Sequence, residues 1–306
     1  MATPAPRLPA GPGPEPQLVE ERSVVVAGAR TRYHVWGDPT AETTILAVHG
    51  FRGDHHGLLP IAAHLPDHRV VTPDLPGFGA SAPFPTDGPD AGPHDVTRYA
   101  RWLAELWDVA GTGRRRVLLG HSFGSVVAAA ALAHEVFPDN LVLVNPIAAP
   151  ALHGPRAMLS AAAVGYYRLG AALPERIGGA LLASRGVVRV ISELMTTTED
   201  RELRRWIHDQ HRRYFSGYHD RRVVVEAFTA SVSHHVGDYA AHLTAPTLLI
   251  AGDKDDIAAP AAQYRLAEQV GAQLEMLTGV GHLIHYERPA AAAAAIRRFL
   301  DQLAAA

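Results

Sequence analysis

The 306-residue sequence has no cysteine, little charge of either sign and no long hydrophobic run. Without cysteine, the chain has no disulfide, no thiolate metal ligand and no cysteine nucleophile. Charged residues make up 19% and sum to −3, so neither a nucleic-acid partner nor binding to an anionic membrane is expected. The longest stretch free of Asp, Glu, Lys and Arg, residues 117–134, predicts a strand, a turn and a helix rather than an integral membrane segment.

The first twenty residues differ in composition from the rest. Residues 1–20 include six prolines before position 17 and have no apolar run, which predicts a disordered Pro-rich tail. An apolar core typical of a secretory signal is absent from this segment, so a cytoplasmic location is expected.

From Ser23 onward, short apolar runs bounded by Gly, Pro and Asp predict eight strands. The first two are close enough to form a hairpin, and later uninterrupted runs suit parallel strands covered on both faces. Helical patterns alternate with them, so we expect an α/β fold with a mostly parallel sheet and helices on both faces. The predicted strands are 23–29, 31–36, 43–48, 69–73, 116–119, 140–145, 246–251 and 273–278, and the predicted helices outside the insertion are 96–109, 123–136, 261–270 and one from Pro289.

The alternation stops between about 148 and 238, where five helical patterns follow one another: 155–169, 174–183, 186–195, 197–214 and 221–234. Thr196 and Glu199 have the spacing of a capping box for the fourth helix, and Asp220 is placed to cap the fifth. A helical insertion of this length between core strands is typical of a lid. The predicted domains are the tail at 1–20, a core at 21–147 and 238–306, and a helical cap at 148–237.

Residues 120–124, Gly-His-Ser-Phe-Gly, give the clearest chemical signal. They directly follow the apolar run 117–119 and directly precede a helical run, which is the context of a nucleophile elbow. Small neighbours allow the tight strand-to-helix turn that presents the oxygen of Ser122 at the carboxyl end of the sheet. An ordinary strand-to-helix turn is the alternative interpretation.

A serine nucleophile needs a base, and the base needs an acid that orients it. Three aspartates, Asp253, Asp255 and Asp256, follow the strand 246–251, and His282 follows the strand 273–278. Both loops leave the carboxyl ends of predicted strands, where groups from separate loops converge. His285, three residues further on, is interpreted as a structural neighbour.

With these residues in place, the chain resembles the cap-bearing serine members of the α/β-hydrolase superfamily over nearly all of 23–304. The resemblance rests on the elbow, on His-Gly-Phe-Arg-Gly at 49–53, on Asp-Leu-Pro-Gly-Phe-Gly-Ala-Ser at 74–81 and on Gly281-His282. It implies the hydrolase fold and a helical cap, with Ser122, Asp255 and His282 as catalytic residues. Family spacing favours Asp255 over its neighbours, and the backbone N–H groups of Phe51 and Phe123 are the implied oxyanion hole.

Some relatives carry the acid after the preceding core strand, but the chain has Asn145-Pro146 there. Dehalogenases and epoxide hydrolases of this layout use an Asp nucleophile where position 122 is Ser. Hydrolases that cleave carbon–carbon bonds of ring-fission products usually have Asn before and Met after the serine, where this chain has His121 and Phe123.

The predicted function is hydrolysis of a carboxylic ester of a small to medium, partly apolar molecule through an acyl-enzyme. Carbon–carbon, lactone, thioester and amide substrates, and perhydrolysis, stay open. A ligand-binding protein that uses this scaffold without catalysis is the alternative from another class. The oligomeric state is not readable from the sequence.

No cofactor and no metal are predicted. The histidine clusters at 55–56, 208–211 and 234–235 do not match a zinc-ligand signature. Large apolar residues of the cap are candidates either for touching substrate or for packing the cap onto the core: Met158, Tyr166, Tyr167, Met195, Trp206 and Tyr214.

Overall fold

Eight strands form one open sheet in the computed structural model, which describes residues 13–150 and 157–305, without the side chains of 157–160. In chain order the strands are β1 (Leu18–Val26), β2 (Ala29–Gly37), β3 (Thr43–Val48), β4 (Arg69–Pro73), β5 (Arg115–His121), β6 (Asn140–Val144), β7 (Thr247–Gly252) and β8 (Gln273–Leu277). Their spatial order is β1-β2-β4-β3-β5-β6-β7-β8. The β1–β2 and β2–β4 pairs are antiparallel and the other pairs are parallel.

The described residues also form eleven α-helices, of which α4 to α8 lie together between β6 and β7. They are α1 (Leu59–Ala62), α2 (Val96–Ala110), α3 (Phe123–Leu132), α4 (Ala157–Ala172), α5 (Glu175–Leu182), α6 (Arg185–Met195), α7 (Arg201–Tyr214), α8 (Arg221–Ser233), α9 (Pro260–Val270), α10 (Ile284–Glu287) and α11 (Pro289–Ala304). Short 3₁₀ helices span His55–Leu58 and Val236–His242.

Helices cover both faces of the sheet. Helices α2, α3 and α9 pack with one set of strand side chains, and α1, α10 and α11 pack with the alternate set. Every residue of β6 and β7 is buried, because side chains on both faces of a covered parallel strand leave water. The predicted mostly parallel, eight-stranded α/β sheet with helices on both faces is confirmed.

Several boundaries differ from the sequence prediction, and two of them are informative. Strand β1 begins at Leu18 instead of position 23, so the last residues of the predicted tail pair with β2, while residues 1–12 of that tail lie outside the described range. Helix α3 ends at Leu132 instead of 136, and Glu135 has a positive φ of 65°. A residue in the left-handed region interrupts a right-handed helix.

The predicted capping box at Thr196 and Glu199 is wrong. Helix α7 begins at Arg201, and the carboxylate of Asp200 accepts hydrogen bonds from the N–H groups of residues 202 and 203. The N–H of Thr196 donates to the carbonyl of Ser192, and the N–H of Thr197 donates to the Glu287 side chain, so this segment is held outside a helix. Asp220 does cap α8, through the N–H of Val223.

Residues 157–233, with helices α4 to α8, are called the insertion below. In sequence the insertion lies between β6 and β7. These two strands are nevertheless hydrogen-bonded neighbours in the sheet. The start of the first predicted insertion helix, at 155, lies outside the described residues, and α4 is described from Ala157. The five observed helices correspond to the five predicted ones.

Candidate active site

Ser122 lies between the end of β5 and the start of α3, with backbone angles of φ 52° and ψ −121°. A non-glycine residue with positive φ is strained, and such strain persists only where the surroundings impose it. The two flanking glycines explain how the turn closes. A Cβ at Gly120 would lie 2.5 Å from the carbonyl oxygen of Gly124, and a Cβ at Gly124 would overlap the carbonyl oxygen of Val48.

A row of hydrogen bonds joins the serine to a histidine and an aspartate from two other loops. Nε2 of His282 lies 2.8 Å from Oγ of Ser122, and Nδ1 of His282 lies 2.8 Å from Oδ2 of Asp255. A carboxylate at Nδ1 requires that this nitrogen carry the proton, which leaves Nε2 as an acceptor for the serine hydroxyl. His282 and Asp255 are buried and Ser122 is half-buried.

Asp255 is held by four donors. Its Oδ1 accepts hydrogen bonds from the N–H groups of Ile257 and Ala258, and its Oδ2 accepts from His282 and from the side-chain amide of Asn145. Burial raises the pKa of Asp255, but the charge of His282 and these hydrogen bonds outweigh it, so the pKa lies below its usual value. The carboxylate is therefore ionised at neutral pH.

The two neighbouring aspartates occupy other environments. Asp253 is exposed and accepts a hydrogen bond from the N–H of Gly279 at 2.7 Å, which closes the turn between the two loops. Asp256 is exposed. Of the three candidates, Asp255 is therefore the one within hydrogen-bond distance of His282.

Asn145 is a site residue whose contact sequence reasoning missed. Its side-chain amide donates to Asp255 at 2.9 Å and to the carbonyl of Gly281 at 3.1 Å, so it joins the aspartate to the backbone beside His282. It is fully buried and has a positive φ of 46°. Asparagine tolerates positive φ better than most residues. An asparagine directly after an apolar strand is therefore the sequence signal that could have indicated this position.

The loop 49–53 runs directly beside the serine. A Cβ at Gly50 would lie 3.1 Å from Cβ of Ser122. The N–H of Leu75 donates to Nε2 of His49 at 2.9 Å, so Nδ1 carries the proton and donates to the carbonyl of Gly50. These bonds join the loop to the segment after β4. Phe51 follows within this loop, and Phe123 is the first residue of α3.

The loop that carries His282 also contacts the insertion. Oγ1 of Thr197 accepts a hydrogen bond from the N–H of Gly281, and the Glu287 carboxylate accepts from the N–H groups of Thr197 and Thr198. Glu287 is buried. The base candidate is thus held from the side of the insertion as well as from the sheet.

The large aromatic and apolar residues of the insertion separate into two groups, of which the first lies beside Phe51. Tyr167 is buried, and its ring lies 5.7 Å from that of Phe51 and stacks on Phe228 at 3.8 Å; Tyr166 lies beside it and donates to the carbonyl of Leu181.

The other group packs the insertion against the core. Trp206 packs on Tyr286, Tyr214 stacks on His56, and Met195 joins the cluster around Leu283. The side chain of Met158 lies outside the described residues.

Two more histidines, His121 and His285, lie close to His282, and His285 was interpreted from the sequence as a structural neighbour. The ring of His121 is 5.8 Å from His282 and 4.1 Å from His285. Burial lowers the pKa of His121 to about 3 and that of His285 well below its usual value. Both rings are therefore uncharged at neutral pH, and they surround the base candidate without opposing a positive charge on it.

Asp54, His55 and His56 place one potential ligand atom each within 4.8 Å of one another. These groups have other partners, since Nδ1 of His55 lies 2.8 Å from Asp74 and Nδ1 of His56 lies 3.1 Å from Asp54. The ring centroids of His55 and His56 lie 3.9 Å apart, with the ring planes inclined by 33°. Nδ1 of each histidine is already engaged by a carboxylate, which accounts for the cluster without a metal.

Within the part of the chain that the structure describes, none of the helices combines the length and the hydropathy that a bilayer crossing requires.

The sequence profile of the alpha/beta hydrolase family matches residues 45–295. The chain is 37% identical to Lipase LipV of Mycobacterium tuberculosis over 123 residues, which are 39% of this chain and 42% of that lipase. It therefore spans about two fifths of that relative. It is 22% identical to Lipase 3 of a Moraxella species over 275 residues, which cover 87% of this chain and 79% of that lipase.

Among solved structures, an esterase from Thermogutta terrifontis superposes with a TM-score of 0.69. The comparison covers 93% of this chain and 99% of the esterase, at 24% sequence identity. At that identity the likeness concerns the fold alone. It places the eight-stranded sheet and its helices among known architectures.

Proposed function

The chain belongs to the alpha/beta hydrolase family, and from that premise we propose that it is a serine esterase. The proposed substrate is a carboxylic ester of small to medium size with an apolar part. The proposed catalytic residues are Ser122 as nucleophile, His282 as general base and Asp255 as the acid that orients it.

One observation carries this proposal: the two 2.8 Å hydrogen bonds that join Oγ of Ser122, the imidazole of His282 and the carboxylate of Asp255. A serine hydroxyl is a weak nucleophile until an adjacent base removes its proton. An ionised carboxylate at Nδ1 fixes the required tautomer and stabilises the imidazolium that forms. The named relatives that are lipases and esterases agree with ester substrates.

The proposed reaction has two halves. Oγ of Ser122 attacks the ester carbonyl carbon while its proton moves to Nε2 of His282, and collapse of the adduct expels the alcohol, which takes that proton. Water then attacks the acyl-enzyme with His282 again as the base, and Ser122 recovers its proton as the acid leaves. All proton transfers use this chain's own groups and water.

The proposed oxyanion hole consists of the backbone N–H groups of Phe51 and Phe123. The latter begins α3, and the first N–H groups of a helix lack partners within the helix, so they are free to stabilise negative charge. Such donors commonly contribute about a hundredfold or more to turnover.

We further propose that the insertion acts as a cap over this site. Tyr167 and Phe228 contact the Phe51 side chain, so the wall nearest the proposed oxyanion hole is aromatic and apolar. Apolar walls with a few polar groups favour partly apolar ligands. The cap would then limit the length of the acyl or alcohol part.

The test is hydrolysis of p-nitrophenyl esters from acetate to dodecanoate by the wild type and by Ser122→Ala. We expect turnover to fall by about 10⁴-fold or more in Ser122→Ala, since loss of the nucleophile leaves only the remaining machinery. Ser233→Ala is the matched control, because this serine is exposed on α8 and bonds only to a backbone carbonyl within that helix.

The acyl chain length with the highest kcat/KM measures the space under the cap. Equal turnover in Ser122→Ala and wild type would contradict the proposal that Ser122 is the nucleophile. If folded wild type hydrolyses none of these esters, lactones, thioesters, amides and ring-fission diketones are tested next. If all of them fail, the ligand-binding interpretation replaces the esterase.

A further inference from the structure

Arg52 is a buried cation beside the proposed oxyanion hole. Only 1% of the residue's surface is exposed. Its guanidinium donates four hydrogen bonds, all to the insertion. The acceptors are the carbonyl of Phe215 at 2.9 Å, the hydroxyl of Tyr167 at 3.1 Å, the carbonyl of Leu182 at 3.0 Å and Oγ of Ser216 at 3.2 Å. It also lies over the rings of Phe215 and Tyr218.

In the described part of the chain, no carboxylate is paired with Arg52. A buried charge without compensation is costly, so another source of negative potential is required. Leu182 is the last residue of α5 and Phe215 is the C-cap of α7. Carbonyls at helix C-termini lack intrahelical partners and carry the negative end of the helix dipole. Two helix ends thus take the place of a carboxylate.

The backbone of Arg52 adds a second observation. The N–H of Gly53 donates to the carbonyl of Gly50 at 3.1 Å, which closes a four-residue turn with Phe51 and Arg52 at its centre. Arg52 has a φ of +61°. A turn with positive φ only at its third residue is a type II turn, and that position favours glycine. Arginine occupies that position in this chain against this preference.

The two observations join at Phe51. Phe51 is the second residue of the turn, so the backbone conformation of the turn sets the direction of its N–H group. Its ring contacts Tyr167 and Phe228 of the insertion. The side chains of both central residues, the Phe51 ring and the Arg52 guanidinium, therefore hold the turn against the insertion, and both contact Tyr167.

We propose that Arg52 is a positioning residue that anchors the turn 50–53 to the ends of α5 and α7 and thereby aligns the N–H of Phe51 with the substrate oxyanion. This inference rests on the proposed esterase function. Arg52 touches no reacting atom in this role. It makes the seating of the insertion a condition for a complete oxyanion hole, so cap closure and transition-state stabilisation are coupled.

The test compares Arg52→Met with wild type in kcat, KM and affinity for phenylboronic acid, which forms a tetrahedral adduct with a serine oxygen. We expect kcat to fall about ten- to hundredfold. This loss is no larger than the loss caused by removing one oxyanion-hole donor, because the N–H of Phe51 is misaligned rather than removed. Boronate affinity should weaken in parallel, while KM stays within about threefold, as for an interaction made only in the transition state.

Arg221→Met is the matched control. Arg221 also donates to carbonyls at the end of a helix, those of Ala171 in the last turn of α4 and of Leu173 just after it, and both partners lie within the insertion rather than in the turn 50–53. It should lower the melting temperature and leave kcat and boronate affinity within about threefold of wild type. Equal kinetic losses in both variants would reduce Arg52 to a structural role and overturn the proposal.

A third readout does not depend on ester turnover. Hydrogen–deuterium exchange of the peptide covering 49–53 should accelerate about tenfold in Arg52→Met and stay unchanged in Arg221→Met. If wild type hydrolyses no ester, the proposed function fails, yet unchanged exchange in Arg52→Met would separately overturn the anchoring role. Where Arg52→Met does not fold, Arg52→Lys is used, since an ammonium keeps the charge but lacks the planar fork. Wild-type kcat and exchange in Arg52→Lys would then contradict the proposal.

Discussion

The sheet core and the insertion are stabilised by different means. All ten residues of α3 are buried, and so are all residues of β6 and β7. Helices α5 and α6 each bury only two residues. In α7 three of the four buried residues are polar, namely His208, Gln210 and His211, beside Ile207.

The contacts between the two regions are mixed. Helix α8 packs Val223, Ala227 and Ala230 into the apolar core of the sheet. The ends of α5 and α7 and residues 197–198 are instead held by polar groups, namely Arg52 and Glu287. An apolar core loses stability gradually as its packing is altered, whereas a polar attachment is lost when one partner is removed. These polar-held parts of the insertion should therefore open locally under changes that leave the sheet intact.

The largest expected effect comes from adding a methyl group to the core. Gly124→Ala would place Cβ against the carbonyl oxygens of Val48 and His49, which are backbone atoms of β3 and its loop. We expect a loss of about 3 kcal/mol in the free energy of unfolding, measured by urea denaturation.

The matched change in the insertion is Gly165→Ala. A Cβ at this exposed position in α4 meets nothing within 4 Å. The same substitution should stabilise by about 0.5 kcal/mol, because alanine is the better helix former. Comparable destabilisation in both variants would refute the contrast between the two regions.

An intermediate effect is expected from Glu287→Gln. The amide keeps the shape of Glu287 but loses a charged acceptor for the N–H groups of Thr197 and Thr198, worth about 2 kcal/mol. The segment 196–200 should detach, so trypsin should cleave after Arg201 faster while the urea midpoint of the core changes little. Glu268→Gln, exposed on α9, is the control and should not alter cleavage.

The last effect concerns acid and appears only as the pH falls. Burial lowers the pKa of His211 to about 3, against 6.5 in the unfolded chain. Between pH 6.5 and pH 3, His211 is protonated in the unfolded chain but neutral in the folded protein. The free energy of unfolding therefore falls as the pH drops from 6.5 toward 3. The slope reaches about 1.4 kcal/mol per pH unit.

His211→Asn removes this group, so the loss of unfolding free energy between pH 6 and pH 4 should become shallower by up to about that amount per unit. Denaturation curves at several pH values measure it. Arg205→Gln, exposed on the same helix, leaves the titrating histidines in place and should retain the wild-type slope. An unchanged slope in His211→Asn would contradict the assignment.

The features that the sequence predicted correctly are those set by local patterns in the sheet core. Continuous apolar runs predicted β3 and β4 with their observed bounds, because strands buried on both faces leave an uninterrupted pattern. The elbow and the order of Ser122, Asp255 and His282 were also readable, since each lies in a short local motif beside a strand.

The rest depended on partners far away in sequence. Arg52 contacts residues more than 100 positions later, and Glu287 accepts from Thr197, 90 positions earlier. These distant bonds also caused the error at Thr196, whose spacing to Glu199 was a sound local signal that tertiary contacts overrode. Strand β1 was placed too late because three of its first five residues, Leu18 to Arg22, are charged and the segment faces water at the sheet edge.

The direct pairing of β6 with β7 has a consequence for how such a chain changes over time. These strands share backbone hydrogen bonds although about a hundred residues separate them. Their register is set by the strands themselves, so segments between them can lengthen, shorten or be exchanged without a slip in the sheet. The closure entropy of a loop grows only slowly with its length, which makes such exchanges thermodynamically mild. Selection can thus remodel the insertion while the sheet that carries Ser122, Asp255 and His282 is inherited unaltered.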